Sequence, residues 1–246
     1  MKQQIAIMSL LFTIICANNA KAQQPNMQDK PGFIFGLTGG LSAPGGNYTK
    51  TDFNDPKSGF AGPGFNIGVT GTWFINKNWG INALISYHSY SFKGLQVLAD
   101  GFKDAFAIDS STVNTQGSNY SMNFLVGPYY SLPIGKKFSF DSRLLVGLVN
   151  AHLAGMQMFF EDQAASTFTQ KESTANTFGL QLGIGGRYAI SKHSGIMLNI
   201  DYFYSKPDFS INYENRNNNA GRWITSYNEP IAGLNTNLTL YYILHP

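Results

Sequence analysis

The sequence predicts an all-β protein, an eight-stranded antiparallel up-and-down transmembrane β-barrel. Eight stretches alternate apolar and polar residues with the period of two that is typical of a strand. The connections between these stretches alternate between long and short, as in a chain that crosses a membrane repeatedly. Only 13% of the residues are charged, against roughly 25% in soluble domains, so little charge is left for a surface exposed to water.

The chain begins with the pattern of a secretory signal peptide. Lys2 precedes an apolar run from Ile5 to Cys16, and Ala20-Lys21-Ala22 has the form of a cleavage site. The apolar run is shorter than the roughly 20 residues that a membrane-spanning helix requires. We therefore predict a signal peptide over residues 1–22, cleaved near Ala22, and a barrel domain over residues 23–246. Since Cys16 is the only cysteine, the mature chain would contain no disulfide and no cysteine metal site.

The predicted strands follow in order along the rest of the chain, and most have the roughly ten residues that a tilted strand needs to cross the hydrocarbon layer. They cover residues 33–42, 65–75, 81–92, 120–132, 138–150, 178–190, 195–204 and 233–244. Three short connections, near residues 76–78, 135–137 and 191–194, are polar, and each contains a lysine. The four long connections cover about residues 43–64, 93–119, 151–177 and 205–232. In bacterial outer-membrane barrels, the short turns face the periplasm and the long loops face the outside.

The distribution of charge distinguishes a membrane barrel from a soluble one. In each predicted strand, we take the first apolar residue of the alternating pattern as facing outward, together with every second residue after it. None of these outward positions is Asp, Glu, Lys or Arg. A charge facing lipid at mid-bilayer costs roughly 2–4 kcal/mol for Arg or Lys, so this face suits hydrocarbon. A soluble lipocalin-like carrier is the alternative, but it would need apolar residues inside and charges outside. The outward face therefore favours the membrane.

Four charged residues, Asp141, Arg143, Arg187 and Asp201, lie on the inward face of the fifth, sixth and seventh predicted strands. Because neighbouring strands are about 4.8 Å apart, these residues would meet in one lumenal cluster. Buried charges are stable only when they are paired, so we predict an ion-pair network that fills the barrel. A gate or ion path is the alternative, although eight strands leave an interior just wide enough for side chains. The glycines of Gly183–Gly186 are expected to make room there or to allow bending.

Aromatic residues cluster towards both ends of the predicted strands. Because amphipathic rings favour the headgroup level of a membrane, we predict two aromatic girdles around the barrel. The ordinary preference of aromatic residues for half-buried sheets is the alternative explanation. The predicted girdle residues are Trp73, Trp79, Phe138, Phe140, Tyr188, Tyr202, Tyr204 and Tyr242.

The long connections contain the residues at which we expect contacts with a partner. Apolar residues from Leu95 to Phe106 recur at helical spacing, which predicts a short amphipathic helix at the barrel rim. This helix is either a lid that buries its own apolar stripe or a partner-binding face. The last long connection is predicted to form a hairpin that extends the last two barrel strands. The candidate contact residues of these two connections are Phe102, Phe106, Phe209, Tyr213, Trp223 and Tyr227.

Several segments resemble the eight-stranded bacterial outer-membrane β-barrel families, the group that includes the OmpA transmembrane domain, OmpX, OmpW and the PorT-like proteins. The segments are Phe35-Gly36-Leu37-Thr38-Gly39-Gly40-Leu41, Gly64-Phe65-Asn66-Ile67-Gly68-Val69, Leu180-Gln181-Leu182-Gly183-Ile184-Gly185-Gly186-Arg187-Tyr188 and the final amphipathic strand. The resemblance covers nearly all of the mature chain. It implies a bacterial outer-membrane location, with a structural or surface-contact role. Through the PorT-like proteins it also implies an alternative, an accessory part of a secretion or surface-assembly machine.

A catalytic role is the main alternative to a structural or contact role. His88 and Ser86 share the inward face of the third predicted strand, and a membrane-embedded lipid-modifying hydrolase would need such a pair with an orienting group. No lipase or deacylase motif surrounds this pair, and no two histidines have a spacing suited to one metal ion. We therefore predict a protein that is not an enzyme and that uses no cofactor.

The expected partners are the outer-membrane lipids and an extracellular or envelope protein. The formal net charge is only +3, which gives no reason to expect binding to nucleic acid.

Overall fold

The computed structural model describes residues 32–55, 57–161, 167–215 and 223–244. The predicted signal peptide and its cleavage site near Ala22 lie outside the described residues. In chain order, the elements are β1 (Phe33–Gly45), a 3-10 turn (Gly46–Thr49), β2 (Ala61–Phe74), β3 (Trp79–Phe92), α1 (Leu95–Phe106), β4 (Ser110–Gln116), β5 (Asn119–Ile134), β6 (Phe138–Leu153), β7 (Gly155–Glu161), β8 (Thr167–Gln170), β9 (Ser173–Ala189), β10 (Ser194–Ser205), β11 (Asp208–Asn215), β12 (Trp223–Asn228) and β13 (Ile231–Leu244). Within the described ranges, no helix is both long enough and apolar enough to cross a membrane.

Eight of the strands form a closed antiparallel barrel, in the order β1-β2-β3-β5-β6-β9-β10-β13. Each strand pairs with the next barrel strand along the chain, and β13 closes on β1 with Leu244 opposite Phe33. The connectivity is therefore up-and-down, and the predicted fold class is confirmed. Each predicted strand overlaps one barrel strand, but several strands are longer than predicted. For example, β9 begins at Ser173 instead of Phe178, because pairing continues beyond the apolar part of its outward face.

The barrel wall is apolar on its outer face and rich in polar residues on its inner face. Along β13, side chains alternate between buried and more exposed positions from Ile231 to Leu244. The large apolar residues of the predicted outward face are exposed; Leu41, for example, is 72% exposed. A continuous apolar surface of this kind is unfavourable in water, so the wall is built to face hydrocarbon.

The short connections are stabilised locally. The side-chain oxygen of Asn76 accepts hydrogen bonds from the backbone N–H groups of Asn78 and Trp79, at 3.0 and 2.8 Å. Ser191 acts in the same way towards the backbone N–H of Ser194, at 3.0 Å. Gly135 has a φ angle of +78°, a conformation that favours glycine. Turns with such internal hydrogen bonds fix the pairing register of the strands that they connect.

The long connections fold into a second unit, which we call the cap: the 3-10 turn, α1 and the strands β4, β7, β8, β11 and β12. Its five strands form one sheet in the order β12-β11-β8-β7-β4, and α1 packs against β4. The predicted rim helix is present as α1. The predicted hairpin is present as β11 and β12, and it continues the last two barrel strands across a short break: Asp208 lies opposite Asn228 in the same register in which Ser205 of β10 lies opposite Ile231 of β13. Pro207, which cannot donate to a ladder, lies at this break, and its carbonyl accepts a hydrogen bond from the backbone N–H of Glu229 at 3.2 Å. The hairpin also joins the cap sheet through the pairing of β11 with β8.

Candidate functional site

The four predicted lumenal charges form two ion pairs. Arg143 on β6 donates from Nε and Nη2 to the two carboxylate oxygens of Asp201 on β10, at 2.9 and 2.8 Å. Asn237 on β13 donates a further hydrogen bond to Oδ2 of Asp201, at 2.9 Å. Arg187 on β9 donates from Nε to Oδ2 of Asp141 on β6, at 3.0 Å. All four charged side chains are buried, so each charge is balanced inside the lumen.

Gly183 allows the first ion pair to form across an intervening strand. Arg143 and Asp201 lie on β6 and β10, which both pair with β9, and Gly183 of β9 lies opposite both residues. A Cβ at position 183 would be 2.0 Å from Oδ1 of Asp201 and 3.0 Å from Cγ of Arg143. Any side chain there would therefore push the two charged groups apart.

Arg187 is held by polar and aromatic groups beyond its ion pair. It donates to the hydroxyl of Ser139 at 3.1 Å and to that of Ser131 at 2.8 Å. Its guanidinium carbon lies 5.9 Å from the ring centre of Phe74 and 5.7 Å from that of Tyr241, within the range of cation–π contacts. Nη1 of Arg187 has no hydrogen-bond partner within the described residues. The lumen beside the short turns is therefore occupied by charged and aromatic side chains.

The predicted pair Ser86 and His88 is in contact, but it is buried deep in the barrel. Oγ of Ser86 and Nε2 of His88 are 3.2 Å apart, and the two residues are 3% and 2% exposed. The other ring nitrogen of His88 lies 3.5 Å from the hydroxyl of Tyr90, not beside a carboxylate. The His88 ring also packs against Phe203, with 5.2 Å between the ring centres. Within the described residues, the geometry thus contains a serine–histidine contact in which no carboxylate is hydrogen-bonded to the imidazole.

Apolar side chains fill the lumen on the cap side and continue into the cap without a break. Leu145 and Phe203 of the barrel belong to the same buried cluster as Phe209 and Ile211 of β11. The loops are therefore anchored on the barrel interior by the packing of their own apolar residues.

The cap contains a partly open cavity of about 350 Å³, between α1, the first long connection and the cap sheet. Its wall is mostly apolar and flexible, with Leu98, Met156 and Met158 among the lining residues. Aromatic rings complete the wall, and Phe53 packs edge-on against Phe102 with 5.0 Å between ring centres.

A buried carboxyl group lies behind this cavity. Glu229, between β12 and β13, is 1% exposed and accepts a hydrogen bond from the hydroxyl of Tyr227, a residue of the cavity wall. Its other oxygen, Oε1, has no hydrogen-bond partner in the described parts of the chain. Gly59 also lines the cavity, and a Cβ there would lie 2.9 Å from this Oε1.

Burial, with a smaller contribution from Asp55, raises the pKa of Glu229 to about 7, although the Tyr227 hydrogen bond acts to lower it. Glu229 is not identified from the sequence, because nothing in the local pattern signals its burial.

The six candidate contact residues occupy different environments. Phe106 is exposed at the end of α1, and its ring stacks on that of Phe102 with 6.2 Å between centres. Phe102 lines the cavity, and so do Tyr213 and Tyr227, so these three face the inside of the cap. For Trp223 the structure gives the backbone pairing with Tyr213, while its side chain lies outside the described residues.

The expectation for Phe209 is wrong, because its side chain is only 2% exposed. It lies on the face of β11 that packs into the apolar cluster shared with the barrel, so it is not available to a partner.

The sequence matches the family model described as outer membrane protein beta-barrel domain, over residues 8–223. This chain belongs to that family. It is therefore an outer-membrane β-barrel protein. No curated protein matches the chain.

Three solved structures of outer-membrane proteins are similar to this chain. OprG from Pseudomonas aeruginosa is 14% identical, with 89% of this chain and 99% of that chain covered and a TM-score of 0.49. A major outer membrane protein from Thermus thermophilus is 12% identical, with 86% and 99% covered and a TM-score of 0.49. Ail, the attachment invasion locus protein of Yersinia pestis, is 12% identical, with 87% and 99% covered and a TM-score of 0.42.

In this outer-membrane barrel, the eight predicted girdle residues all lie exposed on the outer wall. Trp73, Trp79 and Tyr188 are near the short turns, whereas Tyr202 and Tyr204 are near the cap. The rings of Trp79 and Tyr130 pack together with 4.9 Å between their centres. These positions suit contact with the headgroup region at both membrane surfaces.

Proposed function

We propose that this protein is a closed, non-enzymatic outer-membrane barrel that presents its cap outside the membrane as a binding structure. The observation that carries the proposal is the single buried cluster in which Phe203 of the lumen packs with Phe209 and Ile211 of the cap. This packing both obstructs the lumen and holds the loops in one arrangement, which favours binding because less conformational entropy is lost. A signal peptide cleaved near Ala22 would direct export, and the outer-membrane lipids would contact the wall and its girdles.

Bilayer recordings test whether the barrel is closed. The purified, refolded protein should shift its mobility on SDS gels after heating, and it should give no stable conductance steps in a planar lipid bilayer. Ion pairs and apolar side chains fill the lumen of an eight-stranded barrel, which leaves no room for a water-filled channel. Sustained open-channel conductance from the heat-modifiable protein would contradict the proposal.

A membrane-embedded hydrolase is the second candidate, favoured by the contact of 3.2 Å between Ser86 and His88. Both residues are buried, so an ester would reach Ser86 only if the packing around Phe203 opened. Hydrolysis of acyl esters by the refolded protein, abolished in His88→Ala, would support this candidate over ours.

An accessory role in a secretion or surface-assembly machine would instead appear as envelope proteins that copurify with the intact barrel. Those proteins should be lost when the cap is replaced by short turns.

A further inference from the structure

We propose that the cap cavity binds a small apolar molecule that carries an amine, with the apolar body in the cavity and the ammonium group directed towards Glu229. This inference rests on the proposed binding function of the cap and names the class of ligand that the cap would take. It follows from the shape and lining of the cavity and from the unsatisfied carboxyl oxygen behind it.

The apolar part of the ligand is indicated by the cavity wall. A volume of about 350 Å³ lies within the range of roughly 300–1,000 Å³ that is common for small-molecule sites. The wall combines aromatic rings such as Phe102 and Phe168 with the methionines Met156 and Met158. Unbranched methionine side chains adapt to ligands of different outline, and the rings supply contact area. Such a wall fits an alkyl or aromatic body better than a sugar or a peptide.

The positive group of the ligand is indicated by the carboxyl groups. Asp55 is the charged residue among the described residues that line the cavity, and Lys50 already pairs with its carboxylate at 3.1 Å, so the ligand's positive group is assigned to Glu229. Behind Gly59 and Tyr227 lies Glu229, whose Oε1 has no hydrogen-bond partner and which takes part in no ion pair of the described residues. Because Glu229 does not itself line the cavity, an ammonium group there would act on the carboxylate through space and not by a direct hydrogen bond. Its positive charge would stabilise the ionised form of Glu229.

The test compares two matched probes, 2-(1-naphthyl)ethylamine and 2-(1-naphthyl)ethanol, by isothermal titration calorimetry on the full protein in lipid nanodiscs. Empty nanodiscs measure the partition of each probe into lipid. We expect both probes to bind the protein and the amine to bind roughly tenfold more tightly, because only the ammonium group is attracted by the buried carboxylate behind the wall. Binding of either probe no stronger than to empty nanodiscs would overturn the inference.

Matched variants locate the site. Leu98→Trp fills the cavity, whereas Val97→Trp adds the same side chain at an exposed position of the same helix that does not line the cavity. Only Leu98→Trp should abolish binding. Equal effects of the two variants would contradict the cavity as the binding site.

Glu229→Gln should weaken the binding of 2-(1-naphthyl)ethylamine roughly tenfold. It should change the binding of 2-(1-naphthyl)ethanol by less than about twofold. Glu172→Gln, at an exposed glutamate, should change neither. If Glu229→Gln affects both probes equally, the ammonium assignment is wrong.

Heat-dependent gel mobility verifies that each variant is folded. Silent bilayer recordings together with absent probe binding would overturn this inference and leave the closed barrel intact, whereas open-channel conductance would overturn the proposed function itself.

Discussion

The lumen and the cap each bury a carboxylate, but they satisfy its oxygens differently. In the lumen, Asp201 receives two hydrogen bonds from Arg143 and one from Asn237, so both oxygens have donors. In the cap, Glu229 receives one from Tyr227, and Oε1 has no donor within the described residues. An arginine is a permanent cation that balances the charge of a buried carboxylate, whereas burial without a cation favours the protonated form of Glu229. The first arrangement is suited to permanent structure, and the second to a response to a proton or a ligand.

The largest effect is expected from Arg143→Met, which breaks the lumenal side of this comparison. The substitution leaves Asp201 as a buried charge without its cation, and we expect a loss of about 3–5 kcal/mol in the free energy of unfolding. Urea unfolding of the barrel in lipid vesicles measures this change. The double variant Arg143→Met with Asp201→Leu removes both charges and should recover most of the loss. A change below about 1 kcal/mol in the single variant would mean that the pair has no structural importance.

Gly183→Ala should have the next largest effect, because it presses on the same ion pair without removing a charge. Its Cβ would meet Oδ1 of Asp201 at 2.0 Å, and overpacking of this kind costs about 1–3 kcal/mol. Gly39→Ala is the matched control in the barrel wall, where the nearest atom to the added Cβ is the backbone oxygen of Asn66 at 3.7 Å. The same urea titration should show the control within about 0.5 kcal/mol of the native chain. Equal losses would indicate a general cost of alanine in these strands.

How much the sequence predicts also differs between the two regions. The barrel strands and the four lumenal charges are predictable because a membrane imposes a strict alternation of outward and inward residues. The sequence does not reveal that Arg143 pairs with Asp201 across β9, since this depends on the lateral register and on the space at Gly183. In the cap, no surrounding hydrocarbon imposes an alternation on every strand. The strand β4, with the sequence SSTVNTQ, shows little apolar periodicity, and its place follows from its pairing with β7 and its packing against α1.

The same limit explains the residues on which prediction failed. Phe209, Ile211 and Tyr213 alternate along β11, and this pattern does not reveal which face meets the apolar cluster of the barrel. Glu229 is buried by residues from distant parts of the chain, including Tyr48 and Gly59 of the first long connection. Burial of this kind depends on the tertiary arrangement of loops, which local sequence patterns do not encode.

A pH dependence of the cap tests the other side of the comparison. The pKa of Glu229 is raised to about 7 from an ordinary value of 4.5, so the folded cap favours the protonated carboxyl. The resulting stability is fully present below pH 4.5 and is lost as the pH rises through 7. Hydrogen exchange of cap amides, corrected for the intrinsic effect of pH, should therefore report roughly thirtyfold more frequent opening at pH 8.5 than at pH 5.5. Glu229→Gln should remove this dependence. Persistence of the dependence in that variant would assign it to another group.

The smallest effect is expected at an ion pair on the surface of the cap, which separates the influence of burial from that of pairing itself. Lys171 and Glu214 are 3.2 Å apart, a separation similar to that of the lumenal pairs, but both side chains are partly exposed. Water screens these charges, and such pairs contribute about 0.2–1 kcal/mol. Lys171→Met should therefore change the free energy of unfolding by less than about 1 kcal/mol in the urea titration used for Arg143→Met. A loss as large as that of Arg143→Met would show that an exposed ion pair of the cap stabilises the protein as much as a buried pair of the lumen. The contrast between the two regions would then be wrong.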